Sequence, residues 1–177
     1  MSNSRTSLRD LLDGSRLLAM NCEYRAALDA IEAILRKHPG DLDALRLKGN
    51  ILEQKALDEH ERSPRSLALS LDYLTAFACY EQVLGVDPRH TVALIDLGDH
   101  YRYVDAFDQA FTFYRSAMEL LEAGEERIGA ASEIRELLST CDDLLRYPSA
   151  RERAQQLINR CNQMLQVLRS TNDEEPR

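Results

Sequence analysis

The sequence has little glycine and little proline, seven and five of its 177 residues respectively. These are the residues that interrupt helices, because glycine costs backbone entropy and proline lacks the N–H donor. Leucine, alanine, glutamate and arginine are abundant, with 44% hydrophobic and 29% charged residues. A chain of this length buries a sizeable core in one domain. The composition therefore predicts an all-α protein with little β-structure.

A long apolar run is also missing. No stretch reaches about 20 apolar residues, the length that a membrane span requires. The first residues, MSNSRTSLRDLLDGS, lack the apolar run behind a basic end that marks a secretion signal. The four cysteines form no CxxC pair, and we expect reduced core thiols at Cys22, Cys79, Cys141 and Cys161. These features predict no membrane insertion and a cytoplasmic location.

Acidic residues outnumber basic ones, 30 to 22, which gives a formal net charge of -8. Nucleic-acid binding depends on a basic surface that neutralises phosphates, so this function class is not expected. The acidic balance favours solubility and a protein partner.

Catalytic and metal-binding motifs are absent from the sequence as well. It contains no HExxH, no GxSxG and no phosphate-cradling glycine-rich loop. The four histidines are scattered, at His38, His60, His90 and His100. We therefore expect no enzyme activity, no cofactor and no metal.

What the sequence does contain is an internal repeat in three copies, from Leu11 to Gly124. Each copy places apolar, small and turn residues at similar intervals. In the first copy these are Leu11, Gly14, Ser15, Leu18, Ala27, Ile31 and Pro39; in the second Leu45, Gly49, Leu52, Ala76, Tyr80 and Pro88; in the third Leu94, Leu97, Gly98, Tyr101, Ala110, Tyr114 and Ala117.

This pattern resembles the tetratricopeptide repeat. The resemblance implies helical hairpins that stack into a short right-handed superhelix, an α-solenoid. It places three repeats within 7–124, at 8–41, 42–90 and 91–124.

The repeat residues have expected structural roles. The small residues, such as Gly49 and Gly98, should let the two helices of a hairpin approach closely. The larger ones, such as Tyr80 and Tyr114, should fill the space between successive hairpins. The prolines should end the second helices, and Asp41 and Thr91 are expected to cap the helices that follow.

The second repeat is longer than the others. From Leu11 to Ala27 and from Leu94 to Ala110 the interval is 16 residues, but from Leu45 to Ala76 it is 31. An even division of the extra residues would lengthen each helix by about seven and predicts an inserted extended hairpin, a protruding finger with its tip at 63–66. Its apolar residues are Ala56, Leu57, Leu67, Leu69, Leu71 and Leu74.

The remainder of the chain lacks a clean repeat signature. Two long amphipathic helices are expected within 125–169, separated by Tyr147-Pro148-Ser149, as a fourth divergent repeat or a capping helical pair, and the capping pair is favoured. Residues 1–6 are expected to form a flexible N-terminus and 170–177 a disordered acidic tail.

The resemblance also implies a binding groove lined by the first helix of each repeat. Its expected lining residues are Arg9, Leu12, Arg16, Arg46, Asn50, Glu53, Ile95, Asp99, Arg102 and Tyr103. The arginines either present forked donors to the carboxylates of an acidic partner or form solvated helix surface. Arg102 should therefore be replaceable without loss of the fold. Chaperone-docking members need Lys, Asn and Arg at set groove positions; only Asn50 matches, so docking to a heat-shock chaperone is not expected.

The favoured function is an adaptor or scaffold that binds a partner peptide or protein in the groove. One alternative is a bacterial secretion-type tetratricopeptide chaperone. Another is an assembly subunit that forms homo-oligomers through the finger, Ala56 to Leu74, or through the terminal helices.

Overall fold

The computed structural model of the protein describes residues 7–124 and 130–173. Within these ranges the chain forms helices and no strand, so the predicted all-α fold is confirmed. The helices are, in order, α1 (Leu8–Met20), α2 (Tyr24–Lys37), α3 (Leu42–Glu59), α4 (Pro64–Leu67), α5 (Leu71–Val86), α6 (Thr91–Tyr103), α7 (Phe107–Ala123), α8 (Ala130–Leu144) and α9 (Arg151–Asp173).

The helices belong to two compact units, Met1–Pro88 and Arg89–Arg177. In the first unit α1 packs against α2, α2 against α3, and α3 against α5. In the second unit α6 packs against α7 and α8 against α9, and α9 also contacts α7. One helical hairpin thus lies within each predicted repeat, while the repeat boundaries themselves stay a prediction.

Caps and turn residues determine where the helices begin and end. The predicted cap Asp41 is confirmed, because its Oδ1 accepts the N–H of Ala44 at 2.8 Å. The predicted cap Thr91 is wrong, since Nδ1 of His90 accepts the N–H of Ala93 at 3.2 Å and Thr91 is already the first helical residue. The imidazole of His90 therefore caps α6 in place of the threonine hydroxyl.

Glycine and tyrosine pack together inside two of the hairpins. A Cβ added at Gly49 would lie 2.6 Å from Cε1 of Tyr80, and one added at Gly98 would lie 2.3 Å from Cε1 of Tyr114. Both tyrosine rings are fully buried. Each glycine therefore makes room for a tyrosine ring of its own hairpin. The sequence predicted instead that the glycines would let two backbones approach and that the tyrosines would fill the space between successive hairpins.

The first hairpin uses different residues at these positions. Gly14 has open space around it, while Ser15 is buried. Ser15 follows Leu11 by four residues and precedes Ile31 by 16, the intervals that relate Leu94, Gly98 and Tyr114. Ser15 is therefore the small residue of the first repeat, and Ile31 stands at the position of the tyrosine.

The insert of the second repeat is not shared evenly between two helices. α3 has 18 residues, five more than the corresponding first helices α1 and α6. α5 has 16 residues, a length between those of the corresponding second helices, α2 with 14 and α7 with 17. The rest forms the short α4, which Pro64 begins, and a turn with positive φ at Glu61 and Arg62. The predicted extension of both helices is wrong, because Pro64 and the capping Ser70 start new helices.

The C-terminal hairpin consists of α8 and α9, and its turn includes Tyr147-Pro148-Ser149 as predicted. α9 continues to Asp173, which includes 170–173 of the tail that the sequence predicted to be disordered. The expected flexible N-terminus, 1–6, and the rest of the tail, 174–177, lie outside the described residues, as do 125–129. Among the helices of the described ranges, none is both long enough and apolar enough to cross a membrane.

Candidate binding site

A cavity of about 350 Å³ lies in the first unit, between α1, the start of α2, and α3. It brings together Arg16 and Asn50, two of the residues that the sequence assigned to the groove. Arg9 is exposed and Arg46 is half-buried, and neither lines this cavity. We call it the α1–α3 cavity; its lining residues are Arg16, Ala19, Met20, Cys22, Tyr24, Leu47, Asn50, Ile51, Gln54 and Asp58.

The floor of the α1–α3 cavity is apolar. Leu47 and Ile51, one turn apart on α3, are buried there and belong to the core of the first unit. Met20, at the end of α1, is 74% exposed beside them. A flexible thioether next to a fixed aliphatic floor suits a surface that receives apolar side chains of varied shape.

Asp58 is a polar lining residue of the cavity. Its carboxylate accepts the hydroxyl of Tyr24, and Nε2 of Gln54 donates to Oδ1 at 3.2 Å. Burial and then this hydrogen bond raise the pKa of Tyr24 well above its usual value, so the phenol stays a neutral donor. Sequence reasoning missed this pair, because no local pattern links two residues that lie 34 apart.

Arg16 also lines the cavity and is exposed. Its NH1 donates to Oδ1 of Asp13 at 2.9 Å, and the two side chains are 51% and 56% exposed. Ion pairs this exposed contribute only about 0–1 kcal/mol, so Arg16 can exchange Asp13 for a carboxylate of a ligand at little cost.

Asn50 joins the cavity to the hairpin core. Its Oδ1 accepts the hydroxyl of Tyr80 at 2.8 Å. The amide nitrogen is therefore the group of Asn50 that can donate to a ligand. The predicted groove residue thus also has a structural role, which fixes its orientation.

In the second unit, Asp99 and Arg102 belong to a buried network. The Asp99 carboxylate accepts the hydroxyl of Tyr114 at 2.7 Å, Nε–H of Arg102 at 3.1 Å and the hydroxyl of Thr140 at 3.5 Å. The Arg102 guanidinium also lies 4.5 Å from the ring centroid of Tyr103. The Arg102 and Asp99 side chains are only 10% and 19% exposed, so their contacts are mainly internal.

Burial raises the pKa of the Asp99 carboxyl, while Arg102 and the hydroxyl donors act in the opposite direction. The network therefore places a carboxylate where desolvation disfavours charge and supplies three donors to compensate. Contact of Asp99, Arg102 and Tyr103 with a partner stays a prediction.

Three of the cysteines lie in the core as expected, but Cys22 is exposed and lines the α1–α3 cavity. Burial raises the pKa of Cys161 to about 11 and raises the pKa of Cys79 and Cys141 as well. These three thiols are therefore protonated at neutral pH, which disfavours nucleophilic chemistry. Within the described ranges, no cluster of three His, Cys, Asp or Glu side chains is placed to bind a metal ion.

No protein-family model matches the chain, and no curated protein matches it significantly. The solved structure "MamA RS-1 ArsTM double mutant" is similar, with a TM-score of 0.56 and 17% identity over 97% of this chain and 80% of that one. Two further MamA crystal structures align at 11% and 13% identity over 86% and 94% of this chain and 95% of each of theirs; their TM-scores, 0.39 and 0.43, carry no weight. At such identity the likeness is one of fold, a helical tetratricopeptide-like solenoid.

Proposed function

We propose that this protein is an interaction module that binds a segment of a partner protein in the α1–α3 cavity. The observation that carries the proposal is the combination of an apolar floor with the polar side chains of Arg16, Asn50 and Asp58 in one concavity. A cavity of about 350 Å³ is large enough for one or two side chains of a peptide but not for a folded domain. The binding energy would come from such buried anchors.

The charges of the cavity define the expected ligand further. Asp58 already accepts two hydrogen bonds, whereas Arg16 has a single exposed carboxylate partner. The favoured ligand segment therefore carries an apolar side chain for Leu47 and Ile51 and an acidic residue near it for Arg16.

The proposed role is binding without turnover, in the cytoplasm. The protonated, buried thiols support a protein that does not use cysteine chemistry. The free cysteines suit a reducing compartment.

The test is capture of partners from the native source with the wild-type protein and with Met20→Glu. Leu17→Glu is the matched control, because Leu17 is also exposed on α1 but does not line the cavity. We expect the partner to be lost with Met20→Glu and retained with Leu17→Glu. Partners that bind all three proteins equally would contradict the proposal.

Self-association is a second candidate, and a specific surface favours it. Leu69, in the turn before α5, and Leu71 and Leu74, in its first turn, are 81%, 78% and 51% exposed, and we call them the leucine face. The neighbouring carboxylate of Asp72 is paired with Lys55, so this surface carries little uncompensated negative charge against a second acidic copy.

Sedimentation velocity over a range of protein concentrations tests this candidate. Leu71→Lys should abolish a concentration-dependent dimer, whereas Val167→Lys, at an exposed apolar position on α9, should leave it intact. A wild-type protein that stays monomeric at every concentration would exclude the candidate. The secretion-chaperone alternative has no such surface in its favour, and co-purification with a secreted protein would be needed to support it.

A further inference from the structure

Three arginines line a small cavity between α7 and α9 in the second unit. Its volume is about 160 Å³, and we call it the α7–α9 pocket. The lining residues are Phe111, Arg115, Arg153, Gln156, Leu157 and Arg160. In a chain with a net charge of -8, a concavity with three guanidinium groups is an uneven use of positive charge. None of these arginines was among the predicted groove residues.

Arg153 is fixed at one end of the pocket. Its NH1 donates to Oδ1 of Asp108 at 2.6 Å and its NH2 to the carbonyl of Ser149 at 3.4 Å. The guanidinium also lies 4.7 Å from the ring centroid of Phe111. These three contacts orient the guanidinium, although its partner Asp108 is 87% exposed.

Arg160 is fixed at the other end. Its Nε and NH2 donate to the two carboxylate oxygens of Glu122 at 2.8 and 2.6 Å, a bidentate pair. The two ion pairs join α7 to α9 on either side of the pocket. Both pairs are partly exposed to solvent, so they orient the two guanidinium groups without locking them in place.

Arg115 lies between these pairs and differs from them. Its Nε donates to the backbone carbonyl of Phe111 at 3.2 Å, which anchors the side chain. Among the described residues, no carboxylate forms an ion pair with it. The terminal nitrogens of Arg115 and the amide of Gln156 are therefore the donors that the pocket offers to a ligand.

The carboxylates around the pocket do not cancel this charge. Asp108 and Glu122 are already paired with Arg153 and Arg160. Glu119, one turn beyond Arg115 on α7, is exposed, and its charge acts on Arg160, whose pKa it helps to raise. Arg115 is thus the lining guanidinium that is left for an anion.

We propose that the α7–α9 pocket binds a single oxyanionic group, a carboxylate or a phosphate, that an acidic segment of a partner protein presents. The guanidinium fork matches the planar geometry of two such oxygens, and Gln156 adds a neutral donor. A cavity of about 160 Å³ has room for one such group with a little water. This site is separate from the α1–α3 cavity and does not depend on the function proposed for it.

The test is an NMR titration of the full ¹⁵N-labelled chain with inorganic phosphate and with a short polyglutamate peptide, at constant ionic strength. We expect shifts centred on Nε–H of Arg115 and the side-chain amide of Gln156, and competition between the two probes. Arg115→Gln should weaken binding by about tenfold or more, because it removes charge-assisted hydrogen bonds. Arg115 is exposed, so this variant should fold.

Two variants separate the pocket from general charge effects. Arg36→Gln removes one exposed positive charge from α2 in the other unit and should leave binding unchanged. Arg115→Lys keeps the charge but loses the fork, and should bind more weakly than the wild type. Equal effects of Arg36→Gln and Arg115→Gln, or shifts spread over the surface, would overturn the proposal. If phosphate binds and the polyglutamate peptide does not, the proposal that a partner protein supplies the oxyanionic group would be overturned.

Discussion

At the scale of single residues, one arrangement recurs in two hairpins. A glycine receives a tyrosine ring, and the residue after that glycine accepts the tyrosine hydroxyl. Gly49, Asn50 and Tyr80 form one example, with a hydroxyl to amide distance of 2.8 Å. Gly98, Asp99 and Tyr114 form the other, with a hydroxyl to carboxylate distance of 2.7 Å. A fully buried tyrosine needs such an acceptor, because an unpaired buried hydroxyl costs about 1–3 kcal/mol.

The first prediction concerns Gly98→Ala. The new methyl group would lie 2.3 Å from the Tyr114 ring, which is itself fully buried and cannot move freely. We expect the free energy of unfolding to fall by about 1–3 kcal/mol, as overpacking of a dense core does. Urea denaturation measures it. Gly14→Ala is the control, because the space around Gly14 is open and alanine favours helix; an equal loss in both variants would contradict this explanation.

Arg102→Ala is predicted to be destabilising, contrary to the sequence-based expectation of a replaceable surface residue. The change would leave the Asp99 carboxylate without its nearby positive charge in a desolvated site. We expect a loss of about 1–3 kcal/mol, smaller than for a fully buried pair. Thermal melting of Arg102→Ala beside Arg9→Ala, a variant at an exposed position, measures it; equal melting temperatures would show that the network contributes nothing.

His100 gives the protein a pH dependence of stability. Burial lowers its pKa to about 4 from 6.5, so it stays neutral in the folded protein while the unfolded chain takes up a proton below pH 6.5. Stability should therefore be complete above pH 6.5 and fall by about 3 kcal/mol between pH 6.5 and 4. Urea titrations of the wild type and His100→Gln isolate this effect, since Asp99 titrates in both; parallel pH profiles would contradict it.

At the scale of helices, the sequence predicts periodic features well and unique ones poorly. The hairpins of α1 with α2 and of α6 with α7 are predicted by apolar residues at fixed intervals. Because the same intervals recur in each copy of the repeat, each copy strengthens the prediction for the others. The insert has no second copy, and two local starts, at Pro64 and Ser70, decide its shape. Pairs such as Tyr24 with Asp58 depend on which helix faces meet, and no periodicity records that.

Helix capping provides a test at this scale. Asp41→Ala removes the acceptor of the Ala44 N–H at the start of α3 and should cost about 1 kcal/mol. Asp43→Ala is the matched control, because Asp43 is an exposed acidic residue in the same turn without the cap role. Chemical denaturation compares the two variants. A similar loss in both would attribute the effect to the helix dipole instead of the cap.

At the scale of the whole molecule, the arginines predicted for the groove differ in their surroundings from Arg115 in the α7–α9 pocket. The predicted groove arginines are exposed or internally engaged, as Arg16 and Arg102 illustrate. Arg115 was outside every motif that the sequence offered, and only the packing of α7 on α9 gives it a pocket. An acidic partner therefore has two candidate contacts, Arg16 from the repeat pattern and Arg115 from tertiary packing.

The last prediction is that residues 1–88 fold without the rest of the chain and keep the α1–α3 cavity. All residues that line this cavity, and the core of α1, α2 and α3 beneath it, belong to that unit. A unit of this size can bury enough surface to fold alone, although with a small margin. Circular dichroism should show a helical fragment with a cooperative melt, and the fragment should capture the same partner as the full chain, with the same loss on Met20→Glu. A folded fragment that captures nothing would show that recognition needs residues beyond position 88, and an unfolded one would show that the first unit depends on the second for its stability.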